Sequence, residues 1–527
     1  MKRVLVANRG EIALRIFRAC REEGIGTVAV VAPDDLGSLH ARSADVTVEI
    51  SSYLAPGEHV RAAREAGADA VHPGYGFLAE SAELAEAVLA AGLTWIGPPA
   101  AALRAGGDKI AAKETARAAG VPVLPTGDVG FPLLVKAAAG GGGRGMRVVR
   151  THAELDDAVA AAKREAEAAF GDDTVFFEGY LERPRHVEIQ LLADRHGTVV
   201  ALGERDCSVQ RRHQKVLEES PAVTPALRGA MSEAAVAFAR AIGYESAGTA
   251  EFVLDRGEFF FLELNARIQV EHPVTELVTG VDLVRAQFAV ARGERLHLDV
   301  SFDGHAVEAR LYAEDPRTFL PQAGRIERLV LPGGVRVDAG VAEGDEVGTA
   351  YDPMIAKLIA HAPTRNEALD RLAEALAGTE VDGVTTNLPF LRWLVDQPDF
   401  RAGAVTTAFL TEHPPLSRAP SAPRAWAGPW RLNLPAPPPA PPPSRDAGGT
   451  HESTQEQSAV TAPMPGTVLK VLVEPGARVV ARQPLVVLEA MKMEAPLLSP
   501  YDAVVRAVHV AEGDRIAGGT LLVELEE

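Results

Sequence analysis

Glu263-Leu264-Asn265-Ala266-Arg267-Ile268-Gln269-Val270-Glu271 places a polar side chain at every odd position and an apolar one at every even position. An extended chain would carry all five polar groups on one face. The preceding Phe259-Phe260-Phe261-Leu262 is apolar throughout, so the strand is expected to emerge from a buried sheet rather than to form a plain solvated edge. Upstream, Glu251-Phe252-Val253-Leu254 leads into Asp255-Arg256-Gly257, a turn signal, and the resulting hairpin brings Glu251 opposite Glu263 or nearly so. Two carboxylates and the Asn265 amide then converge. Such a cluster repels itself unless cations sit between its members, and oxygen-only ligands suit magnesium or manganese.

Around that stretch the chain has 527 residues, enough for three or four domains, with an ordinary 47% hydrophobic content. A net charge of −19 argues against binding nucleic acid or an anionic membrane through the overall field, so an anionic substrate needs a local basic pocket. Cys20 and Cys207 are the only cysteines, which excludes a disulfide framework and a thiolate metal cage and leaves both as expected packing residues. Met1 runs almost directly into Val4-Leu5-Val6-Ala7 with no signal-peptide pattern or bilayer-length apolar run, so a cytoplasmic protein is expected.

From the N-terminus, a short apolar strand, Asn8-Arg9-Gly10, a helix with Ile12, Ile16, Phe17 and Cys20 on one stripe, and the strand Thr27 to Val31 spell a βαβ unit of a doubly wound α/β domain. One glycine at the first turn points to a structural turn more than to a nucleotide site. His72-Pro73-Gly74-Tyr75-Gly76-Phe77-Leu78 leaves the C-terminal end of a strand, where loops either line a site or merely pack the turn. Gly107-Asp108-Lys109 approaches another helix. The strand ending at Lys136 is followed by Gly140-Gly141-Gly142-Gly143-Arg144-Gly145 and a strand from Met146 to Val149, which reads as a glycine flap whose amides wrap phosphate oxygens. Lys136 and Lys109 would counter the phosphate charge. The lysine precedes the glycines and no Ser or Thr follows, so this is not a Walker loop. Glu178-Gly179-Tyr180-Leu181 leaves an apolar strand and either packs or offers a backbone edge to an adenine. Arg205, Arg211, Arg212, His213 and Lys215 form the densest basic patch, a solvated face or a local anion pocket.

These motifs together resemble biotin carboxylase, an ATP-grasp enzyme. The resemblance rests on Asn8 to Ala13, His72 to Phe77, Gly140 to Met146, Gln210 to Lys215 and Asn265 to Pro273, and spans residues 2 to about 412. It implies that Lys109, Lys136, Gly142, Gly143, Glu178, Leu181, His186 and His213 contact ATP, with Glu251, Glu263 and Asn265 holding magnesium or manganese. It further implies bicarbonate on Lys215, Arg267 and Val270, Glu271 as the base that deprotonates it, and Arg310 as the cation stabilising the biotin enolate. The stretch from Val121 to Lys136 is shorter than the family pattern, which usually places an additional helix there, so a reduced flap-bearing subdomain is expected.

From Pro414 to about Gln457 the composition turns to Pro, Ala, Ser and Gly, including Pro437-Pro438-Pro439-Ala440-Pro441-Pro442-Pro443, which marks a linker. Trp426 and Trp430 are unusual within it and read as a short docking remnant. Beyond it, Val468, Val471, Val473, Gly476 and Val479 recur as Val505, Val508, Val510, Gly513 and Ile516 at a constant offset. Two similar β-halves imply a flattened barrel. Between the halves, Glu489-Ala490-Met491-Lys492-Met493-Glu494 resembles the tip of the biotinyl carrier domain, which makes Lys492 the biotin attachment site and a biotin protein ligase an expected partner.

The expected fold class is therefore α/β and α+β: a doubly wound domain over 1–108, an ATP-grasp domain over 109–304, a mixed C-terminal carboxylase domain over 305–413, a linker over 414–458 and an all-β biotinyl barrel over 459–527. The resemblance implies the α subunit of an acetyl- or propionyl-CoA carboxylase, hetero-oligomeric with a carboxyltransferase β subunit, because no segment resembles a transferase. The biotin-carrying subunit of a two-part pyruvate carboxylase and a non-catalytic carrier are the rival readings.

Overall fold

The computed structural model describes residues 1–138, 146–211, 214–298, 300–416, 459–464, 466–490 and 493–526. Gly142, Gly143, His213, Lys492 and the linker tryptophans lie outside these residues.

The first strand, Arg3–Val6, is short and wholly apolar toward its end because helices cover both of its faces. It lies at the centre of a five-stranded parallel sheet in the order Val46–Glu49, Gly26–Val31, Arg3–Val6, Ala70–His72, Thr94–Trp95. The helix Gly10–Glu22 buries Ile12, Ile16, Phe17 and Cys20 on the expected stripe. Strand order reverses between Arg3–Val6 and Ala70–His72, so the loops after Val6 and His72 leave the sheet side by side at the place where doubly wound folds open a crevice. Asn8 Nδ2 stitches them together by donating to the carbonyls of Pro73 at 2.8 Å and Tyr75 at 2.6 Å.

The middle of the chain forms an eight-stranded antiparallel sheet. Its order is Glu258–Asn265, Ser246–Asp255, Arg185–Ala193, Val199–Arg211, Gln214–Ser220, His305–Tyr312, Met354–Ala362, Arg336–Ala339. The strand Glu258–Asn265 is thus terminal in the sheet, yet it is not a plain solvated edge. Its free edge is partly covered by Pro122 and Val123: Phe261 N donates to the Pro122 carbonyl at 2.8 Å, and Val123 makes an isolated bridge to Phe261. The expected extended run to Glu271 is also cut short, ending at Asn265.

A small three-stranded sheet, Arg147–Val149, Leu133–Ala137, Val175–Gly179, packs against the helix Leu155–Phe170 around Leu133, Val135, Val149 and Ala162. Leu133 pairs with Val149 as the flap hairpin requires, and residues 121–132 contain no helix. At the C-terminal end, two four-stranded sheets enclose a core that includes Val468, Val473, Val479 and Val505, positions drawn from both halves of the internal repeat. The strands Pro484–Ala490 and Met493–Leu498 pair through Ala490 and Met493, the positions flanking Met491 and Lys492. No described helix is long and apolar enough to cross a membrane.

Candidate active site

The turn Asp255-Arg256-Gly257-Glu258 closes the central hairpin with Asp255 paired to Glu258, which leaves a two-residue loop. Arg256 and Gly257 have φ of 49° and 87°, the left-handed pair that suits a tight hairpin and favours glycine at the second place. The turn sets the register as far as Phe252 opposite Phe261; a bulge that leaves Leu262 as the extra residue then shifts it by one, so Glu251 pairs with Glu263 and Thr249 with Asn265, and the two carboxylates and the amide share one face. All three line a cleft of about 800 Å³ that also reaches the Asn8 loop, Tyr75 and Arg310. Every described residue expected at the site lines this cleft.

At one end of the cleft, Asp108 caps the helix Lys109–Ala118 by accepting from the amides of Ile110 and Ala111, which sets Lys109 at its first turn. Lys109 Nζ stands 3.4 Å from Glu263 Oε2. Lys136 Nζ donates to the buried Glu178 at 2.6 Å, and Glu178 also pairs with Lys113. Lys113 is 2% exposed, and burial lowers its ammonium to about 8. Nothing in its sequence setting separates it from an ordinary helix lysine; only the fold brings it to Glu178. Leu181 lies on the cleft wall after the strand Val175–Gly179, beside His186.

Deeper, one ion-pair network occupies the floor. Lys215 Nζ donates to Glu271 Oε1 at 2.7 Å, to Glu251 Oε1 at 2.8 Å and to Glu188. Arg310 Nη2 stands 2.9 Å from Glu271 Oε2 and 2.5 Å from Glu218 Oε1. Burial alone would raise the Glu271 carboxyl, yet the Lys215 and Arg310 charges outweigh it and hold this group well below the usual carboxylate range. Glu251 is likewise held low by Lys215 and by His186, whose Nε2 is 3.0 Å away, while Glu251 in turn raises the imidazole. Behind Arg310 the balance reverses: burial pushes Glu218 up to about 7 and Glu308, its register partner, well above the ordinary range.

The basic patch divides. Arg205 is fully buried, paired to Glu188 at 2.6 Å and donating to Gln190, Thr249 and Thr275, so it braces the sheet and belongs to no anion pocket. Lys215 and Arg211 do face the cleft. His72 packs the turn, 3.1 Å from Gln287 Oε1, whereas its neighbour Tyr75 lines the cleft and donates to Glu11. Beyond Asn265 the chain bends away from the sheet: Ala266 N donates to Glu80 at 2.8 Å, and Arg267 Nη2 donates to Asn265 Oδ1 at 2.9 Å. Arg267, Val270 and Glu271 then reach the cleft from a loop that precedes the helix His272–Thr279.

The carboxylates of Glu251 and Glu263 and the amide oxygen of Asn265 are hard oxygen donors on one face and fit a divalent cation in kind, which would take them over from Lys215, Lys109 and Arg267. Among the described residues, closer acid clusters include His186 with Glu188 and Glu251, and Cys207 with Glu188 and Glu271. Lys215 already pairs with all three of those carboxylates.

Four family models match the chain: the biotin carboxylase N-terminal domain over 1–103, the carbamoyl-phosphate synthase L chain ATP-binding domain over 108–299, the biotin carboxylase C-terminal domain over 308–412 and a biotin-requiring enzyme domain over 458–525. The biotin carboxylase of Halalkalibacterium halodurans is 47% identical over 442 residues, covering 78% of this chain and 98% of that protein. The biotin-dependent acyl-coenzyme A carboxylase alpha3 subunit of Mycobacterium leprae is 41% identical over 588 aligned positions, covering 99% of this chain and 98% of that one. That alignment is longer than the 527 residues here, so the relative holds insertions that this chain lacks. Among solved structures, the biotin carboxylase domain of the Hydrogenobacter thermophilus 2-oxoglutarate carboxylase, in complex with MgADP, ADP and bicarbonate, matches with a TM-score of 0.77 and 44% identity, over 78% of this chain and 98% of that one. Fold, cleft and relatives converge: the chain belongs to the biotin carboxylase family, biotin-dependent carboxylating ligases, and joins that enzyme to a biotinyl domain.

Proposed function

We propose that this chain uses ATP and bicarbonate to carboxylate biotin carried on its own Lys492, and that a separate carboxyltransferase β subunit moves the carboxyl group to an acyl-CoA. The observation that carries the reading is the shared hold of Lys215 and Arg310 on Glu271 at the floor of the cleft. Lys109 and Lys136 offset phosphate charge at one end, and Glu251, Glu263 and Asn265 would hold a magnesium or manganese ion that neutralises the phosphate oxygens. Bicarbonate settles between Lys215, Arg267 and the Val270 backbone. An anion there draws Lys215 away from Glu271, relieves the suppression of its basicity, and lets Glu271 take the bicarbonate proton as the anion attacks the terminal phosphate of ATP, forming carboxyphosphate and expelling ADP. Carboxyphosphate splits into carbon dioxide and phosphate; biotin supplies the ureido nitrogen, whose proton goes to that phosphate and which takes up the carbon dioxide. Arg310 directs its guanidinium at the oxygen where negative charge develops.

The relatives favour an acyl-CoA acceptor through the Mycobacterium leprae subunit, whose aligned length covers nearly the whole chain, linker and biotinyl domain included. The test is ATP cleavage by the purified biotinylated chain with and without bicarbonate, followed by carboxylation of free biotin. Bicarbonate-stimulated cleavage and carboxybiotin are expected; ATP turnover indifferent to bicarbonate sinks the reading. Acceptor choice is read by adding the co-purifying partner with acetyl-CoA, propionyl-CoA or pyruvate; carboxylation of pyruvate alone would replace the acyl-CoA assignment. We place the protein in the cytoplasm, which fractionation of the source cells checks.

A further inference from the structure

Lys357 is fully buried on the strand Met354–Ala362 and reaches two partners from different parts of the chain. Its Nζ donates to the Val270 carbonyl at 2.7 Å and stands 3.1 Å from Glu11 Oε1. Glu11 sits in the first turn of the helix Gly10–Glu22 and accepts from the Tyr75 hydroxyl, which belongs to the cleft wall. The second Glu11 oxygen is buried without a hydrogen-bond partner, so the carboxylate depends on Lys357 and Tyr75 for its compensation. Gly340 permits the approach: a Cβ there would lie 2.8 Å from the Glu11 amide nitrogen. A buried chain thus runs from Tyr75 through Glu11 and Lys357 to the backbone of Val270. Elsewhere the loop is held largely through its side chains, Arg267 on Glu80 and Asn265, Gln269 on Glu251 and Glu271 on Lys215 and Arg310, whereas Lys357 holds its backbone at Val270. Glu80 holds Ala266 N at 2.8 Å, and His272 Nδ1 stands 2.7 Å from the Gln269 carbonyl.

We propose that Lys357 is a positioning residue for the bicarbonate-binding loop: by holding the Val270 carbonyl while paired to Glu11, it fixes where Arg267, Val270 and Glu271 stand, and Tyr75 couples that grip to the cleft wall. This rests on the assignment of bicarbonate to Arg267 and Val270. A buried ammonium that serves a backbone carbonyl touches no substrate, so its loss displaces the loop and weakens anion binding while the nucleotide end, held by Lys109, Lys136 and Glu178, is untouched.

The experiment uses the full biotinylated chain and measures bicarbonate-dependent ATP cleavage for Lys357→Met, Glu11→Gln, Tyr75→Phe, the Lys357→Met/Tyr75→Phe double variant and Arg267→Lys. Lys357→Met is expected to raise the KM for bicarbonate about ten-fold and to leave the KM for ATP within about two-fold. Tyr75→Phe and Glu11→Gln, near-isosteric changes that keep the fold if Lys357→Met does not, should raise the same KM about three-fold. The double variant should be no worse than Lys357→Met alone, because both members act through one chain. Equal rises in both KM values, multiplicative effects in the double variant, or an unchanged bicarbonate KM in all three single variants would overturn the proposal. If Arg267→Lys raises the bicarbonate KM while the others do not, the positioning claim alone falls. If Arg267→Lys also leaves it unchanged, the bicarbonate assignment falls and the proposal with it.

Discussion

Arg310 Nη2 lies 2.9 Å from Glu271 and 2.5 Å from Glu218, so the cation facing the cleft is shared between a carboxylate on its floor and another behind it. Glu271 is therefore ionised and restrained by Lys215 and Arg310, and in the function proposed above a substrate anion that competes for Lys215 releases it. Glu271→Gln keeps the shape but cannot take a proton. Bicarbonate-dependent ATP cleavage should fall by about 100-fold or more while nucleotide binding, measured by calorimetry, is retained. An unchanged rate would place the base elsewhere.

Glu263 faces Glu251 across the hairpin and pairs with Lys109. Glu263→Gln removes one hard anionic oxygen donor and leaves the strand intact. ATP cleavage should drop by about 100-fold or more, with partial recovery as magnesium or manganese is raised. Near-normal turnover at low metal would exclude Glu263 as a ligand.

Glu308 titrates in an enclosed setting made by Glu218 opposite it, Arg310 on its own strand, Lys357 on the next strand and Glu271. Burial raises its folded-state pKa above the unfolded value, so the folded chain holds this proton more tightly. Its contribution to stability is complete in acid and is lost as pH rises through the folded-state value. Glu308→Gln carries no such titration. The variant should be more stable than the parent at pH 9, by about 1.4 kcal/mol for each unit of the raised pKa, and the difference should shrink as pH falls and vanish below about pH 4. Melting curves across that range check it; a pH-independent or opposite difference refutes it.

Lys492→Arg should eliminate avidin-detectable biotin and acyl-CoA carboxylation while sparing carboxylation of free biotin. Deleting most of Pro435 to Gln457 should leave biotinylation intact and slow the coupled reaction, since a carrier that visits two sites depends on tether length for its effective concentration. A coupled rate unaffected by the deletion would rule the tether out as the element that sets reach.

The central hairpin was readable from its two-residue turn, but that turn alone would set Glu251 opposite Leu262; the bulge at Leu262 that places Glu251 against Glu263 has no mark in the sequence. The strand end was not readable. Alternation continues past Asn265 because Ala266 and Ile268 still turn inward, but the backbone leaves the sheet where Glu80 takes the Ala266 amide and Lys357 takes the Val270 carbonyl. Neither partner is close in sequence. The same distance hid Lys113, which reads as an ordinary helix lysine, and Glu188, Glu218, Glu308 and Lys357, because a charged strand residue alternating with apolar ones reads as a solvent face. In this sheet it reads instead as one half of a buried pair. Arg205 shows the converse: a basic run drew attention to a residue that the fold uses to brace Glu188.

The strand Gln214–Ser220 pairs with His305–Tyr312, Leu217 opposite Ala309 and Ser220 opposite Ala306. The segments matched by the ATP-binding and C-terminal family models, ending at 299 and beginning at 308, are thus laced into one ladder. What sequence comparison separates as two modules is a single unit for folding. A chain truncated after Gly304 would bare the edge of Gln214–Ser220 and strip Glu218 of Arg310, and a fragment starting at His305 would begin with an unpaired edge of its own. The piece that can be cut away and moved between proteins is the biotinyl domain, whose core closes on itself between Val460 and Leu525.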